Sequence, residues 1–258
     1  MIQQLQNNSA KTEIKMKTKI TKLLLLTMIT TLVVACKFDI SGIRGKGEVI
    51  TKEITLDESF SEIKTESGWK VNLIKSDENK IVVKANENLI EQLDYYINNE
   101  RLTLGSKNNI QSGTRELTLY YTENLSTIKS SSGSSIDSDD IFEQEEITID
   151  ASSGSSIELE LKVKKTIVDV SSGARVELEG TSIYFDGESS SGSRIDGKDL
   201  KTKECVVAAS SGGNIDIYNE GSLKASASSG GNIDYYGNPE KISTNESISG
   251  GNIDHEED

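Results

Sequence analysis

A Ser-Gly dipeptide recurs through the second half of the chain at an almost constant distance, and that spacing limits the fold more than any other feature of the 258 residues. The copies read SSSGSSIDS from 130, ASSGSSIEL from 151, VSSGARVEL from 170, SSSGSRIDG from 189, ASSGGNIDI from 209, ASSGGNIDY from 227 and SISGGNIDH from 247. Their glycines are Gly133, Gly154, Gly173, Gly192, Gly212, Gly230 and Gly250, spaced 18 to 21 residues apart. A fixed period near twenty is the mark of one supersecondary unit stacked on itself.

The unit is legible by counting from each glycine. Three residues on stand Ile136, Ile157, Val176, Ile195, Ile215, Ile233 and Ile253, all branched and apolar. Five and seven residues before it the side chains are again mostly apolar, and three before it they are mostly small. Odd offsets are apolar and even offsets mostly polar, a period of two that predicts strands on both sides of the corner. Twenty residues are too few for a helical crossover but suit one coil of a parallel β-helix. The fold class predicted is therefore all-β, a solenoid of about 20-residue coils. Its odd positions stack inside, and a loop of variable length returns to the next coil. Glycine at the corner supplies a backbone angle that a Cβ would forbid, and the serine beside it can satisfy a backbone group.

Residues 44–125 do not keep the period. They still alternate, as in GEVITKEITL, WKVNLI and ELTLYY, and NENLIEQLD (86–94) reads as a short helical turn. The expectation is that 44–125 form irregular β-coils covering the amino end of the stack, with 126–258 as the regular repeats. The charged tail HEED (255–258) is expected to cover the other end, since an open terminal coil is a template for aggregation.

Residues 1–35 read as a signal peptide: four lysines between positions 15 and 22, then the apolar run LLLLTMITTLVVA, too short to span a bilayer. Met16, just before KTKITK, marks an alternative start, with 1–15 as an extension. The ending Val33-Val34-Ala35-Cys36 is that of a bacterial lipobox, so Cys36 is the expected site of acylation and 36–43 a lipid-anchored linker. Lys37 does not look like an inner-membrane retention residue, and likeness to other lipoproteins then points to the outer membrane of a Gram-negative envelope. With Cys36 lipidated, Cys205 in the apolar run CVVAA has no disulfide partner and reads as a small buried residue.

Charge excludes some partners. The chain carries 28 basic and 42 acidic residues, a net of −14. Without the five lysines and one glutamate of the first 35 residues, the net becomes −18. Such a surface repels nucleic acid and anionic headgroups.

The segment ITLDESFSEIKTESGWKVNLIKSDENKIVVKANENLIEQLDYYINNERLTLG (54–105), the SSGSSI and SGGNID copies, and YYGNPEKIS (235–243) together resemble the head GIN domain family, whose members are envelope proteins called putative auto-transporter adhesins. The resemblance covers nearly all of the chain after Cys36. It implies a right-handed parallel β-helix, secreted or lipid-anchored, and brings no catalytic residues. The plain lipoprotein start departs from a literal auto-transporter, because no translocator barrel accompanies it.

Position limits the chemistry that the repeats can carry. Ser132, Ser153, Ser172, Ser191, Ser211, Ser229 and Ser249 precede the glycines, and seven equivalent serines make a ladder rather than one nucleophile. The single histidine, His255, is the fourth residue from the end, so a Ser-His-Asp site is not expected. Four residues after the glycines stand Asp137, Glu158, Glu177, Asp196, Asp216, Asp234 and Asp254, expected to line up outward. Adjacent like charges about 4.8 Å apart cost roughly 0.9 kcal/mol per pair even in water. Arg175, Arg194, Asn214, Asn232 and Asn252, two residues after their glycines, stand beside them. One reading is a solvated polar face part-neutralised by arginine. The other is a calcium stripe over Asp196, Asp216, Asp234, Asp254, Asn214, Asn232 and Asn252. No other cofactor is expected, and the spacing is not that of the nonapeptide calcium repeat. Tyr218, Tyr236 and Trp69 are candidate ligand contacts, the alternative being aromatic cover for loop and strand edges. Two functions remain: a non-enzymatic lipid-anchored adhesin or binding module for a polysaccharide or protein, or a carbohydrate-active enzyme on a β-helix. An enzyme needs acids that break the repeat; here the acids follow it, which favours the binding module.

Overall fold

In the computed structural model, residues 42–246 and 250–257 are described. The amino-terminal part contains β1 (Ile43–Arg44), β2 (Val49–Thr55), β3 (Glu62–Thr65), β4 (Lys70–Lys75), β5 (Lys80–Asn86), the helical turn α1 (Glu87–Ile90), β6 (Leu93–Asn98), β7 (Arg101–Ser106), β8 (Ile110–Ser112) and β9 (Arg115–Tyr121). The repeats follow as β10 (Thr127–Ser130), β11 (Ser135–Ala151), β12 (Ser156–Val170), β13 (Arg175–Ser189), β14 (Arg194–Ala209), β15 (Asn214–Ala227), β16 (Asn232–Tyr236), β17 (Lys241–Glu246) and β18 (Asn252–His255).

The repeats form a parallel β-solenoid. β10 through β16 pair in sequence order, and β17 and β18 complete the last coil on β15 and β16; every pairing is parallel. Ile136, Ile157, Val176, Ile195, Ile215, Ile233 and Ile253 are direct register partners from coil to coil. The first six are buried; Ile253, on the last coil, is half-buried. Each fully buried branched side chain contributes about 1.5–3 kcal/mol, so this column is the main cohesive element of the stack. Cys205 is part of the same core, buried and free, and burial pushes its thiol pKa well up.

Each Ser-Ser-Gly sequence makes a corner with two successive left-handed residues. From Ser132 to Ser229 the serine before the glycine has φ between 51° and 55°, and the glycine has φ of 71° to 76°. A non-glycine residue in that region costs about 1–2 kcal/mol. Ladders across the corners offset it: the N–H groups of Gly133, Gly154, Gly173 and Gly192 donate to the carbonyls of Ser153, Ser172, Ser191 and Ser211 in the following coil. The hydroxyl that serves the bend is not the one before the glycine, which is exposed. It is the one after it: Ser155 Oγ donates to the Ser130 carbonyl and Ser193 Oγ to the Val170 carbonyl, each at 2.7 Å.

The returning loop expected from the sequence is absent from β11 to β15 and appears only in the last described coil, where residues 237–240 join β16 to β17. In the earlier coils a single strand wraps the coil instead. In β12 the buried positions run Ile157, Leu159, Leu161, Val163, then shift phase to Thr166, Val168, Val170. Two consecutive outward residues, Lys164 and Lys165, make the second corner without a glycine. Ile183 and Tyr184 occupy the same place in β13, which explains why Ile183 is exposed.

The amino-terminal part holds an eighth corner that the twenty-residue rule overlooks. Ser67 (φ 67°) and Gly68 (φ 72°) join β3 to β4, with Val71 three residues after the glycine in register with Ile136. Stack order here differs from chain order. β3 lies between β10 and β7, so Glu62 is aligned with both Thr127 and Arg101. β4 likewise lies between β11 and β9. Reversed strands then close this end: β6 runs antiparallel on β7, β5 on β9, and β2 on β5. At the far end the first residue of HEED belongs to the ladder. His255 ends β18, stacks on the Tyr235 ring at 4.8 Å, and its Nε2 lies 2.9 Å from the Gly237 carbonyl.

Candidate functional site

Parity puts the residue four after each glycine on the outer surface, and the parallel register puts all seven on one line. Asp137, Glu158, Glu177, Asp196, Asp216, Asp234 and Asp254 are consecutive register partners, and Asn72 continues the row into the coil of Gly68. The middle of the row is neutralised by arginine. Arg175 bridges Glu177 and Asp196 at 2.9 Å each, and Arg194 reaches Asp216 at 2.6 Å and Asp196 at 3.7 Å. Below them Asn232 Nδ2 donates to both carboxylate oxygens of Asp234 at 3.0 Å, and Asn252 Nδ2 donates to Asp254 and, at 2.9 Å, to Asn232 Oδ1. Burial pushes the Asp216 carboxyl above its ordinary value against the opposing charge of Arg194.

These contacts bear on the calcium stripe. Asp196, Asp216, Asp234 and Asp254 are aligned but not converged, and Asn232 and Asn252 turn amide donors toward their carboxylates, while Asn214 Nδ2 bonds the Gly212 carbonyl at 3.1 Å. Among the described residues no three acidic, histidine or cysteine side chains gather closely enough to hold a metal. The solvated, part-neutralised face is the arrangement present.

The ladder beside the row slips at its upper end, as it does again in β14. Between Asp137 and Ile141 the β11 ladder slips against β12, and Ser138, Asp139 and Asp140 bulge outward. The bulge is pinned: Ser138 Oγ donates to the Leu73 carbonyl at 2.9 Å, and Asp140 Oδ2 accepts from the Lys75 N–H at 2.7 Å. It walls an open groove of about 460 Å³ in which Asp137, Asp139, Glu158 and Glu177 meet Lys70 and Arg175. Burial, and then the charges of Glu158 and Asp139, push the Asp137 carboxyl up. The sequence carried a trace of this site in the interval of 21 residues between Gly133 and Gly154, two longer than the next one.

The aromatic candidates separate. Tyr218 and Tyr236 are register partners on the surface, half-buried, with Lys198 Nζ 4.3 Å from the Tyr236 ring centre. Tyr218 also borders an open recess of about 520 Å³ with Glu220, Asn238 and His255. Trp69 is a correction: its indole is fully buried, with Nε1 donating to Ser106 Oγ at 2.9 Å, so it offers no ring to a ligand. It takes the corner position that Ser134 and Ser155 hold in later coils, where the wider connection from β7 to β9 leaves room. Cys36 and Ser249 lie outside the described residues.

A protein-family model described as putative auto-transporter adhesin, head GIN domain, matches residues 59–239. Among solved structures, a putative adhesin from Bacteroides fragilis superposes with a TM-score of 0.73 at 16% identity, covering 83% of this chain and 100% of the other. A putative adhesin from Parabacteroides merdae gives 0.67 at 21% identity, covering 84% and 99%. A protein described as a putative lipid binding protein from Parabacteroides distasonis gives 0.61 at 19%, covering 83% and 99%. At these identities the likeness concerns the fold. No curated protein sequence matches the chain.

Proposed function

Since the chain belongs to the putative auto-transporter adhesin family with a head GIN domain, we propose that it is a non-enzymatic binding module of the cell envelope, anchored by lipid on Cys36 to the outer membrane, that holds a polysaccharide or protein partner on the flank of its solenoid. One observation carries this reading: the flank presents in-register rows of charged and amide groups whose partners are already fixed, with open grooves of about 300 and 460 Å³ along the coils. Preformed rows on a rigid scaffold favour recognition because little side-chain freedom is lost on binding. Glycan-array binding by the purified protein, run beside intact and protease-shaved cells, tests it. Saturable binding and loss of the surface protein on shaving are expected; absence of any glycan or cell-surface binding contradicts it.

A second reading has one observation in its favour. Asp137, pushed toward its protonated form, stands in register with Glu158, the pairing a glycoside hydrolase or lyase needs in a general acid and a base. Cleavage of acidic or neutral polysaccharides that disappears in both Asp137→Asn and Glu158→Gln decides for it; undiminished polymer length decides for binding alone.

A further inference from the structure

The connection that replaces the corner between β7 and β9 builds a recess unlike the rest of this acidic molecule. It measures about 530 Å³ and is bordered by Arg115, Lys107, Ser67, Ser106, Asn108 and Ser132, with no carboxylate on its wall. The recesses described above all carry Asp or Glu. The neighbouring carboxylate of Glu66 is engaged by Lys64 at 2.6 Å.

Arg115 is the centre of this recess. Its Nη1 donates to the Ser67 carbonyl at 2.9 Å, which fixes the guanidinium against the first corner. Its Nε is buried with no partner, and it forms no ion pair among the described residues, whereas Arg101, Arg175 and Arg194 each hold a carboxylate. Burial without an opposing charge lowers its pKa. A half-buried guanidinium with no carboxylate beside it keeps its charge available to an incoming anion. Glycine at 68 is part of the device: at φ 72° a side chain is strained, and a Cβ there would lie 3.0–3.1 Å from Nη1 and Nη2. The rest of the rim is held in place. Lys107 Nζ donates to the Glu91 carbonyl at 3.1 Å, Asn108 Nδ2 to Gln92 Oε1 at 2.9 Å, and the buried Trp69 donates to Ser106 Oγ.

We propose that this recess is a binding site for an acidic saccharide, with its carboxylate or sulfate on Arg115 and Lys107 and its hydroxyls on Ser67, Ser106, Asn108 and Ser132. A planar guanidinium pairs with a carboxylate or sulfate through two parallel N–H donors, and hydroxyl and amide groups around it match a polyhydroxylated ring. The assignment deepens the binding-module reading by naming the ligand class, and it rests on that reading only for the idea that the ligand is a glycan.

The test is calorimetric titration of the full chain with trigalacturonate, with its fully methyl-esterified counterpart, and with inorganic sulfate. Binding of trigalacturonate is expected, at least tenfold tighter than either sulfate or the ester. Arg115→Gln is expected to weaken it at least tenfold, and so is Lys107→Glu, which leaves Arg115 and the first corner in place and serves if Arg115→Gln does not fold. Lys164→Gln, on the exposed second corner of β12, is expected to leave it unchanged. No binding of trigalacturonate overturns the proposal, and so does equal binding of the ester. Sulfate binding as tightly as trigalacturonate overturns the saccharide assignment. Loss in Lys164→Gln with retention in Arg115→Gln also overturns the recess, while the binding module itself would stand.

Discussion

The regular coils and the amino-terminal layers are made of the same parallel ladder, yet they are held together differently. From β11 to β15 each strand pairs with the next one in the chain, so partners are about one period apart, as Ile157 and Val176 are. In the amino-terminal layers β3 lies between two strands that both follow it in the chain, β7 and β10, and Glu62 faces both Arg101 and Thr127. A coil of the first kind can be added or lost with only its neighbours noticing. A layer of the second kind ties segments 39 and 65 residues apart, as those register partners show, and closes a longer loop for each contact. The difference also locates the distinctive surface. Regular coils repeat their chemistry, whereas the recess at Arg115 occurs where the period fails.

The largest effect should come from cutting into each kind of core. Ile195→Ala and Leu102→Ala each remove a fully buried aliphatic side chain and should cost about 2–5 kcal/mol in urea unfolding. Hydrogen exchange then separates the regions. Protection should fall mainly in β13, β14 and β15 for Ile195→Ala, but across β3, β7 and β10 together for Leu102→Ala. Equal spreading in both variants would erase the contrast.

Two glycines sharpen the picture of the corner. A Cβ at Gly231 would lie 2.3 Å from the Ala209 carbonyl oxygen, so coil must move against coil. At Gly154, in the equivalent corner, nothing lies within 4 Å and only the φ of 71° resists a side chain. Gly231→Ala should therefore cost about 3 kcal/mol and Gly154→Ala about 1 kcal/mol, measured by the same unfolding curves.

The acid row adds a pH dependence. Burial raises the folded carboxyl of Asp216 above its unfolded value, so the folded state binds that proton more tightly and stability declines as pH rises from 3.8 through the folded value. Arg194→Gln removes the charge that opposes the shift. Its stability deficit should be greater at pH 7 than at pH 4, and an equal deficit at both would dismiss the role of Arg194. The smallest effect is expected on the second corner. Lys164 pairs with Glu145 at 2.8 Å with both side chains mostly exposed, and Lys164→Ala should change stability by about 0–1 kcal/mol.

Much of the solenoid could be read before any coordinates, because a side chain at an odd offset from Gly has one possible destination once coils stack. The columns of Ile136 to Ile253 and the row of Asp137 to Asp254 follow from that alone. The eighth corner at Gly68 was hidden by the long excursion through β5 to β9, which replaces a twenty-residue interval by 65 between Gly68 and Gly133. Trp69 read as a candidate ligand contact because the Gly68 corner was hidden; in the other corners its place is filled by Ser, Ala or Gly, and here the indole is buried. From β11 to β14 the second corner carried no glycine, so in β12 nothing but a phase shift of one residue at Lys164–Lys165 announced it. Arg115 drew no notice in the sequence, since its isolation from carboxylates arises from strands brought together across the chain.

The account stands on parallel coils in one register, and oxidative crosslinking in the chain from Gly42 measures it directly. Glu158 and Glu177 are register partners on the outer face. Neighbouring strands about 4.8 Å apart put their Cα atoms within disulfide range. Glu158→Cys with Glu177→Cys should form an intramolecular disulfide readily, while Glu158→Cys with Glu179→Cys, displaced by two residues on the same face, should not. Preferential crosslinking of the displaced pair, or none in either, would contradict the stack.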